Sequence, residues 1–308
     1  MKRIFAIALS VSGLVAALQG ATGQWSASSS GVKGSVELLL ERRTATSSMN
    51  ESRTWPLAEL EGLTAAQLAS SGIQVRFKIA REAGALDCEG FVKNGGGGGT
   101  FTFTSNPAFV AEMKKLGYDG LGEDRVFAMA MHDVTTTFVK EMRAEGIAMK
   151  SSDDLIAMRI HGVSVPYVRE LKQLGLKVNS DELVAMRIHG VSAEFVRELK
   201  GMGYAVDSDE LVAMRIHGVD AEFAKELKQL GYSPVSVDEM VSMKIHGATT
   251  GFVKELKTLG YAHPSVDELV SMRIHGVTPA YVRKLHGRGM KGLTVDQMVS
   301  LRIHGVVD

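Results

Sequence analysis

The sequence predicts an α+β protein: a small antiparallel β domain followed by an α-solenoid of seven two-helix repeats. Three observations carry this reading. A Met-(Arg/Lys)-Ile-His-Gly phrase recurs every 28 or 29 residues, at Met158–Gly162, Met186–Gly190, Met214–Gly218, Met243–Gly247 and Met272–Gly276. A Leu-headed copy, Leu301–Gly305, follows, and a worn copy, Met129–Asp133, precedes them. An aromatic stands upstream of each phrase in fixed register: Phe109, Phe138, Tyr167, Phe195, Phe223, Phe252 and Tyr281. Before residue 106, by contrast, apolar residues alternate with a period of two, the signature of half-buried strands. A fixed period near 29 residues marks a stacked array whose units bury their apolar faces on one another.

The chain opens with Lys2 and Arg3, an apolar stretch from Ile4 to Leu18, and then small residues. This is the pattern of a secretory signal, expected over residues 1–23, and it predicts an exported protein, periplasmic or secreted. Ala21 and Gly23 at the −3 and −1 positions favour cleavage before Gln24, with cleavage after Gly20 or Ala21 as alternatives. No later stretch approaches ~18 apolar residues, so no membrane span is expected in the mature chain. Cys88 is the only cysteine, which excludes an intramolecular disulfide and a cysteine-rich metal site. Basic and acidic residues number 35 each, and neither part of the chain holds the basic excess of a nucleic-acid binder.

Residues 24–105 form the expected β domain, or an N-terminal cap for the array. Val36, Leu38 and Leu40 alternate with polar neighbours, as do Val75, Phe77 and Ile79, and Phe101 with Phe103. Strands are expected near 24–29, 35–43, 73–81, 86–93 and 99–104, with a Ser/Thr-rich loop over 44–54. Thr64 and Gln67 have the spacing of a capping box for a short helix over 64–70. The five glycines Gly95–Gly99 are no phosphate loop, because no Gly-Lys-Ser/Thr follows and the next element is a strand. They are expected to form a flexible hairpin connection.

Residues 106–308 form the repeat array. In the unit Thr278–Val306, Thr278 caps a first helix, Pro279 takes its first position, and Tyr281, Val282 and Leu285 form its apolar stripe. Asn106, Thr135, Ser164, Ser192, Asp220 and Thr249 are the matching caps. Gly289 and its equivalents end the first helix. Ser236 with Glu239, Ser265 with Glu268, and Thr294 with Gln297 are capping boxes for a second helix, with Asn179/Glu182 and Asp207/Glu210 equivalent. Acidic residues in its first turn and basic residues in its last both suit the helix dipole. Gly162, Gly190, Gly218, Gly247, Gly276 and Gly305 end it. Helices of about ten residues are unstable alone, so packing between units must hold them.

The wording Val-(Arg/Lys)-Glu-Leu-Lys-x-x-Gly-Tyr, then Asp-Glu-Leu-Val-x-Met-Arg-Ile-His-Gly-Val, resembles repeats of secreted bacterial proteins of unassigned role. It also resembles repeats at the periplasmic end of penicillin-sensor-type membrane metallopeptidases. The resemblance covers about two thirds of the chain and implies an exported helical array with a sensing or partner-binding role. It does not bring the peptidase, since the chain has no His-Glu-x-x-His motif.

Two ladders run through the array. His161, His189, His217, His246, His275 and His304 stand three residues after Met or its equivalent. Thioether plus imidazole on one helix face would suit copper. Against this, Leu301 takes the Met position in the last unit, as a core filler can and a ligand cannot. No metal or other cofactor is therefore expected, and the histidines read as polar helix ends. Arg159, Arg187, Arg215, Lys244, Arg273 and Arg302 form a basic ladder, either a solvated helix end or a row that reads an acidic or extended peptide. The leading expectation is a non-enzymatic scaffold for a protein or peptide partner, with a copper binder and a hydrolase in the β domain as alternatives. Cys88 sits in an expected strand with no His near it in sequence, so nothing in the chain asks for an enzyme.

Overall fold

The computed structural model describes residues 21–43 and 48–306. The apolar stretch 4–18 of the expected leader and the loop residues 44–47 lie outside the described residues. The α+β class is as expected: a six-stranded antiparallel sheet at the N-terminal end, then fourteen helices of nine or ten residues in seven pairs.

The strands are β1 (Ala21–Ser29), β2 (Ser35–Arg43), β3 (Ser48–Pro56), β4 (Ile73–Arg81), β5 (Gly84–Lys93) and β6 (Gly96–Ser105), in the spatial order β3-β2-β1-β6-β5-β4. A short helix, α1 (Ala65–Leu68), carries the expected Thr64/Gln67 capping box. Alternation puts Trp25, Leu38, Leu40, Phe77, Ile79 and Phe103 on the buried face.

Two expectations about this sheet fail. Most of the segment expected as a loop over 44–54 lies in β3, which pairs with β2 from Ser48↔Arg43 to Pro56↔Ser35. Its inward positions are Met49, Glu51, Arg53 and Trp55, so charged side chains hide the period of two. Arg53 is tolerated there because its guanidinium lies 3.6 Å over the ring of buried Trp55. The glycines expected as a flexible connection belong to β6 from Gly96 onward, and the turn is confined to Asn94 and Gly95, both with positive φ. Glycine is required in the strand by close approach: a Cβ on Gly99 would lie 2.0 Å from the Glu89 carbonyl oxygen.

The helix pairs are α2 (Pro107–Lys115) with α3 (Glu123–Met131), α4 (Thr136–Ala144) with α5 (Ser152–Ile160), and α6 (Val165–Gln173) with α7 (Ser180–Ile188). They continue as α8 (Ala193–Gly201) with α9 (Ser208–Ile216), α10 (Ala221–Gln229) with α11 (Val237–His246), α12 (Thr250–Thr258) with α13 (Val266–Ile274), and α14 (Pro279–Gly287) with α15 (Val295–Ile303). At α6, α8, α10, α12 and α14 the expected caps accept from the helix backbone, and the Ser151/Asp154 box of α5 is an addition to the expected boxes. Ser192, Thr249 and Thr278 accept from the third backbone N–H of their helices, and capping boxes open α5, α7, α9, α11, α13 and α15. The worn unit differs as its sequence does: Gly122 opens α3 with no side-chain cap, and Asp133 holds a φ of +52° where the other units have glycine.

The chain divides into two compact units, residues 1–136 and 137–308. Secondary structure changes at 105/106, but the first helix pair belongs to the compact unit of the sheet. Phe127 of α3 stacks on Phe101 at 5.8 Å and meets Phe103 edge-on at 5.1 Å. Arg42, buried in β2, reaches Asp124 at 2.6 Å and lies 5.2 Å over the Phe127 ring. Within the second unit, first helices pack on neighbouring first helices and second on second. Leu183, Met186, Leu211 and Met214 are wholly buried, as are Val191, just before the Ser192 cap of α8, and Val196, at its fourth position, placed as a hydrophobic staple.

Candidate functional site: the outer face of the repeats

The second helix of each unit is apolar on both sides. In α9, Leu211 and Met214 point into the core, while Asp209, Val212, Ala213 and Ile216 share the opposite face at spacings of three, four and seven. Ile216 is 54 % exposed, and its equivalents Ile160, Ile188, Ile245, Ile274 and Ile303 are 52 to 59 % exposed. One exposed isoleucine is ordinary. Six stand at one register, one in the second helix of each repeat from α5 to α15. Between α5 and α7 the face forms a groove of about 320 Å³, lined by Asp153, Asp154, Ala157, Asp181, Val184, Ala185 and Ile188 among others. Small residues at the Ala157 and Ala185 positions keep this groove open.

The two edges of the face differ in charge. Along one, Asp181, Asp209, Asp238, Asp267 and Asp296 are exposed in the first turns of the second helices. Along the other, the exposed imidazoles of His189, His217, His246, His275 and His304 stand at the helix ends, with His161 half-buried.

The basic ladder also makes contacts within the array, with Arg187 and Arg215 still exposed. Each base lies over the register aromatic of its own unit: Arg159 over Phe138 (5.3 Å), Arg187 over Tyr167 (5.1 Å) and Arg215 over Phe195 (5.3 Å). Lys244 lies over Phe223 (4.3 Å), Arg273 over Phe252 (5.2 Å) and Arg302 over Tyr281 (5.1 Å). Several of these bases also reach the preceding unit. Arg187 Nε donates to the His161 carbonyl at 3.4 Å. The Arg273 guanidinium stands 3.1 Å from where a Cβ on Gly247 would be, and Arg302 takes the same place at Gly276. A cation over an aromatic face and beside a helix C-terminus gains from both. The ladder therefore joins first helix, second helix and neighbouring unit, a role the sequence reading missed. Its signal was present, since each aromatic precedes its base by 20 or 21 residues.

Other ties between units run along the first helices. Glu145 accepts from Arg169 at 2.7 Å and pairs with Lys172 at 3.2 Å, and these partners hold its carboxyl below the usual carboxylate range. Glu226 with Lys254 (2.9 Å) and Glu255 with Arg283 (2.8 Å) link further neighbouring repeats from a position inside the first helix. The Tyr167 hydroxyl donates to the Val191 carbonyl at 2.8 Å, and burial pushes its pKa up to about 12.

Met186 is wholly buried while His189 is exposed, so thioether and imidazole do not converge. Among the described residues no group of three or more His, Cys, Asp or Glu is placed to hold a metal ion. Cys88 is buried in β5, and burial, then the neighbouring Asp87 charge, pushes its thiol up to about 12, the opposite of an activated nucleophile. An open cleft of about 440 Å³ beside it is lined by Glu61, Arg76, Lys78, Asp87 and Glu89 among others. Among the described residues, no helix is long and apolar enough to cross a membrane. No family model matches the sequence, and no curated protein matches it either.

Proposed function

We propose that the chain is an exported, non-enzymatic scaffold that binds a protein or peptide partner on the outer face of its second helices. The observation that carries this is the row of isoleucines exposed at one register. Exposed apolar surface is ordinarily scattered, and a contiguous patch edged by polar residues marks an interaction surface. The resemblance of the repeats to those of secreted bacterial proteins supports an envelope or extracellular setting and a part in envelope sensing.

The test is comparative capture from an envelope extract of the native host. The full chain should retain a partner that Ile216→Ser/Ile245→Ser loses, while Arg169→Ala, on the first-helix side, retains it. Equal capture by all three proteins refutes the reading.

Export carries its own expectation. Ala21, Thr22 and Gly23 pair with Phe103, Thr102 and Phe101, and the Ala21 backbone N–H donates to Glu123 Oε1 at 3.0 Å. Cleavage before Gln24 would remove these three residues from β1. Cleavage after Gly20 leaves the strand whole and sets a new ammonium group against Glu123. Mass spectrometry of the exported protein should find Ala21 at the N-terminus, and Gln24 there would contradict this.

A further inference from the structure

The outer face of the second helices is complementary to itself. Each of these helices runs across the face from an acidic edge to a basic one. In α9, Asp209 is exposed in the first turn, while Arg215 and His217 are exposed at the other end, on either side of Ile216. The same order holds in α7, with Asp181 at one end and Arg187, Ile188 and His189 at the other. The apolar row is therefore bordered by acids on one side and by bases and imidazoles on the other.

Two copies of such a face can meet about either of two two-fold axes lying between them. With the axis across the row, parallel to the helices, acid meets acid and base meets base. With the axis along the row, facing helices run antiparallel, and Asp209 of one copy comes opposite Arg215 and His217 of the other. Only the second arrangement pairs opposite charges and opposed helix dipoles. It also matches the apolar row at any spacing, because every second helix faces its own counterpart. Each isoleucine stands toward the C-terminal end of its helix and so lies against the N-terminal half of the facing one, beside Val212 or its equivalent. The outer position nearest the axis is small in every unit: Ala157, Ala185, Ala213, Ser242, Ser271 and Ser300. Small residues at the contact let facing helices approach closely.

Resting on the scaffold reading above, we propose that the partner on this face is a second copy of the chain, related by a two-fold axis that runs along the isoleucine row. The area is sufficient. A nine-residue helix is roughly 13 Å long, and directly packed helices stand about 8–10 Å apart. The second helices from α5 to α15 then offer roughly 600–800 Å² per copy, about 1,200–1,600 Å² in all, within the range of stable protein–protein interfaces. Contact is distributed over the repeats, each adding an apolar pair and ionic contacts at both edges.

Sedimentation velocity of the full-length protein over a concentration series supplies the first test, and a concentration-dependent dimer is expected. Ile216→Ser/Ile245→Ser should raise its dissociation constant by at least about ten-fold. Asp209→Lys/Asp238→Lys, which sets like charges opposite the basic edge, should raise it by a smaller but measurable factor. All four positions are exposed, and circular dichroism of each variant checks that the fold is kept. The second test reads the axis. Ala185→Cys, Ala213→Cys, Ser242→Cys and Ser271→Cys, made singly in a Cys88→Ala background and oxidised with diamide, should each give a disulfide-linked dimer. Every one of these positions lies near its own copy only when the axis runs along the row.

A monomer at every concentration up to about 100 µM overturns the proposal. So does a dimer that the serine pair leaves intact, or a disulfide confined to one of the four positions, the mark of an axis across the row. In each of those cases isoleucine-dependent capture of a different native protein would still uphold the scaffold reading, so the two ideas fail separately.

Discussion

Gly218 separates backbone conformation from packing. It ends α9 with a φ of +70°, and a Cβ built on it would meet nothing within 4 Å. Replacing it therefore tests the left-handed conformation alone. A non-glycine residue there costs roughly 1–2 kcal/mol, and a β-branched one stands at the upper end or beyond. Asparagine, which tolerates this region, should cost least. The series should run Gly218→Asn, then Ala, then Val in increasing damage. Gly247 adds a packing contribution, because its Cβ would stand 3.1 Å from the Arg273 guanidinium that lies over Phe252. Gly247→Val should thus exceed Gly218→Val by up to about 1 kcal/mol, the worth of a displaced cation–π contact. Two controls bracket the set. Gly201→Ala, at a helical glycine with open space around it, should stabilise by about 0.5 kcal/mol. His217→Gln, at an exposed helix end, should cost less than about 0.5 kcal/mol. Urea melts followed by circular dichroism supply the order, compared as midpoints because arrays can depart from two-state unfolding. A Gly218→Val midpoint equal to the parent's would refute the reasoning, and so would a His217→Gln effect larger than the glycine's.

Three further outcomes are expected. A double-mutant cycle between Phe195 and Arg215 should give a coupling of about 0.5–1 kcal/mol, and a coupling near zero would return the basic ladder to solvent. The Cys88 thiol should resist a disulfide reagent in the native protein at pH 9 yet react at once in urea. Its raised pKa stabilises the fold fully below pH 9, and that contribution is lost as pH rises from 9 toward about 12, so Cys88→Ala should lessen alkaline destabilisation in denaturant melts. Removing residues 278–308 should leave a folded chain of lower stability and proportionally less helix, since α14 and α15 pack on α12 and α13, whereas complete loss of helical signal would reveal an all-or-none core.

The repeat array was legible because local signals agree at every boundary. Ser236 with Glu239 and Ser265 with Glu268 mark helix starts by side-chain chemistry alone, and the glycines mark the ends. The outer face was not legible for a physical reason. With Leu211 and Met214 on one side of α9 and Val212 and Ile216 on the other, hydrophobic pattern cannot say which side is covered, and nothing in the repeated phrase singled the isoleucine out. The ring contacts of the basic ladder were not legible either, because the aromatic under each base stands on another helix. In the sheet, β3 was hidden because Glu51 and Arg53 take inward positions, and Arg53 is accommodated only by the Trp55 ring. The glycines of β6 read as a linker because their role lies in the approach of a neighbouring strand.

The central claim is that partners dock on the outer face of the second helices. Photocrosslinking in the native host tests it most directly, with benzoylphenylalanine placed at position 216 or 245 in one set and at first-helix position 197 or 225 in another. A discrete crosslinked partner is expected from positions 216 and 245 and none from 197 and 225. Crosslinks from the first-helix positions alone would contradict it.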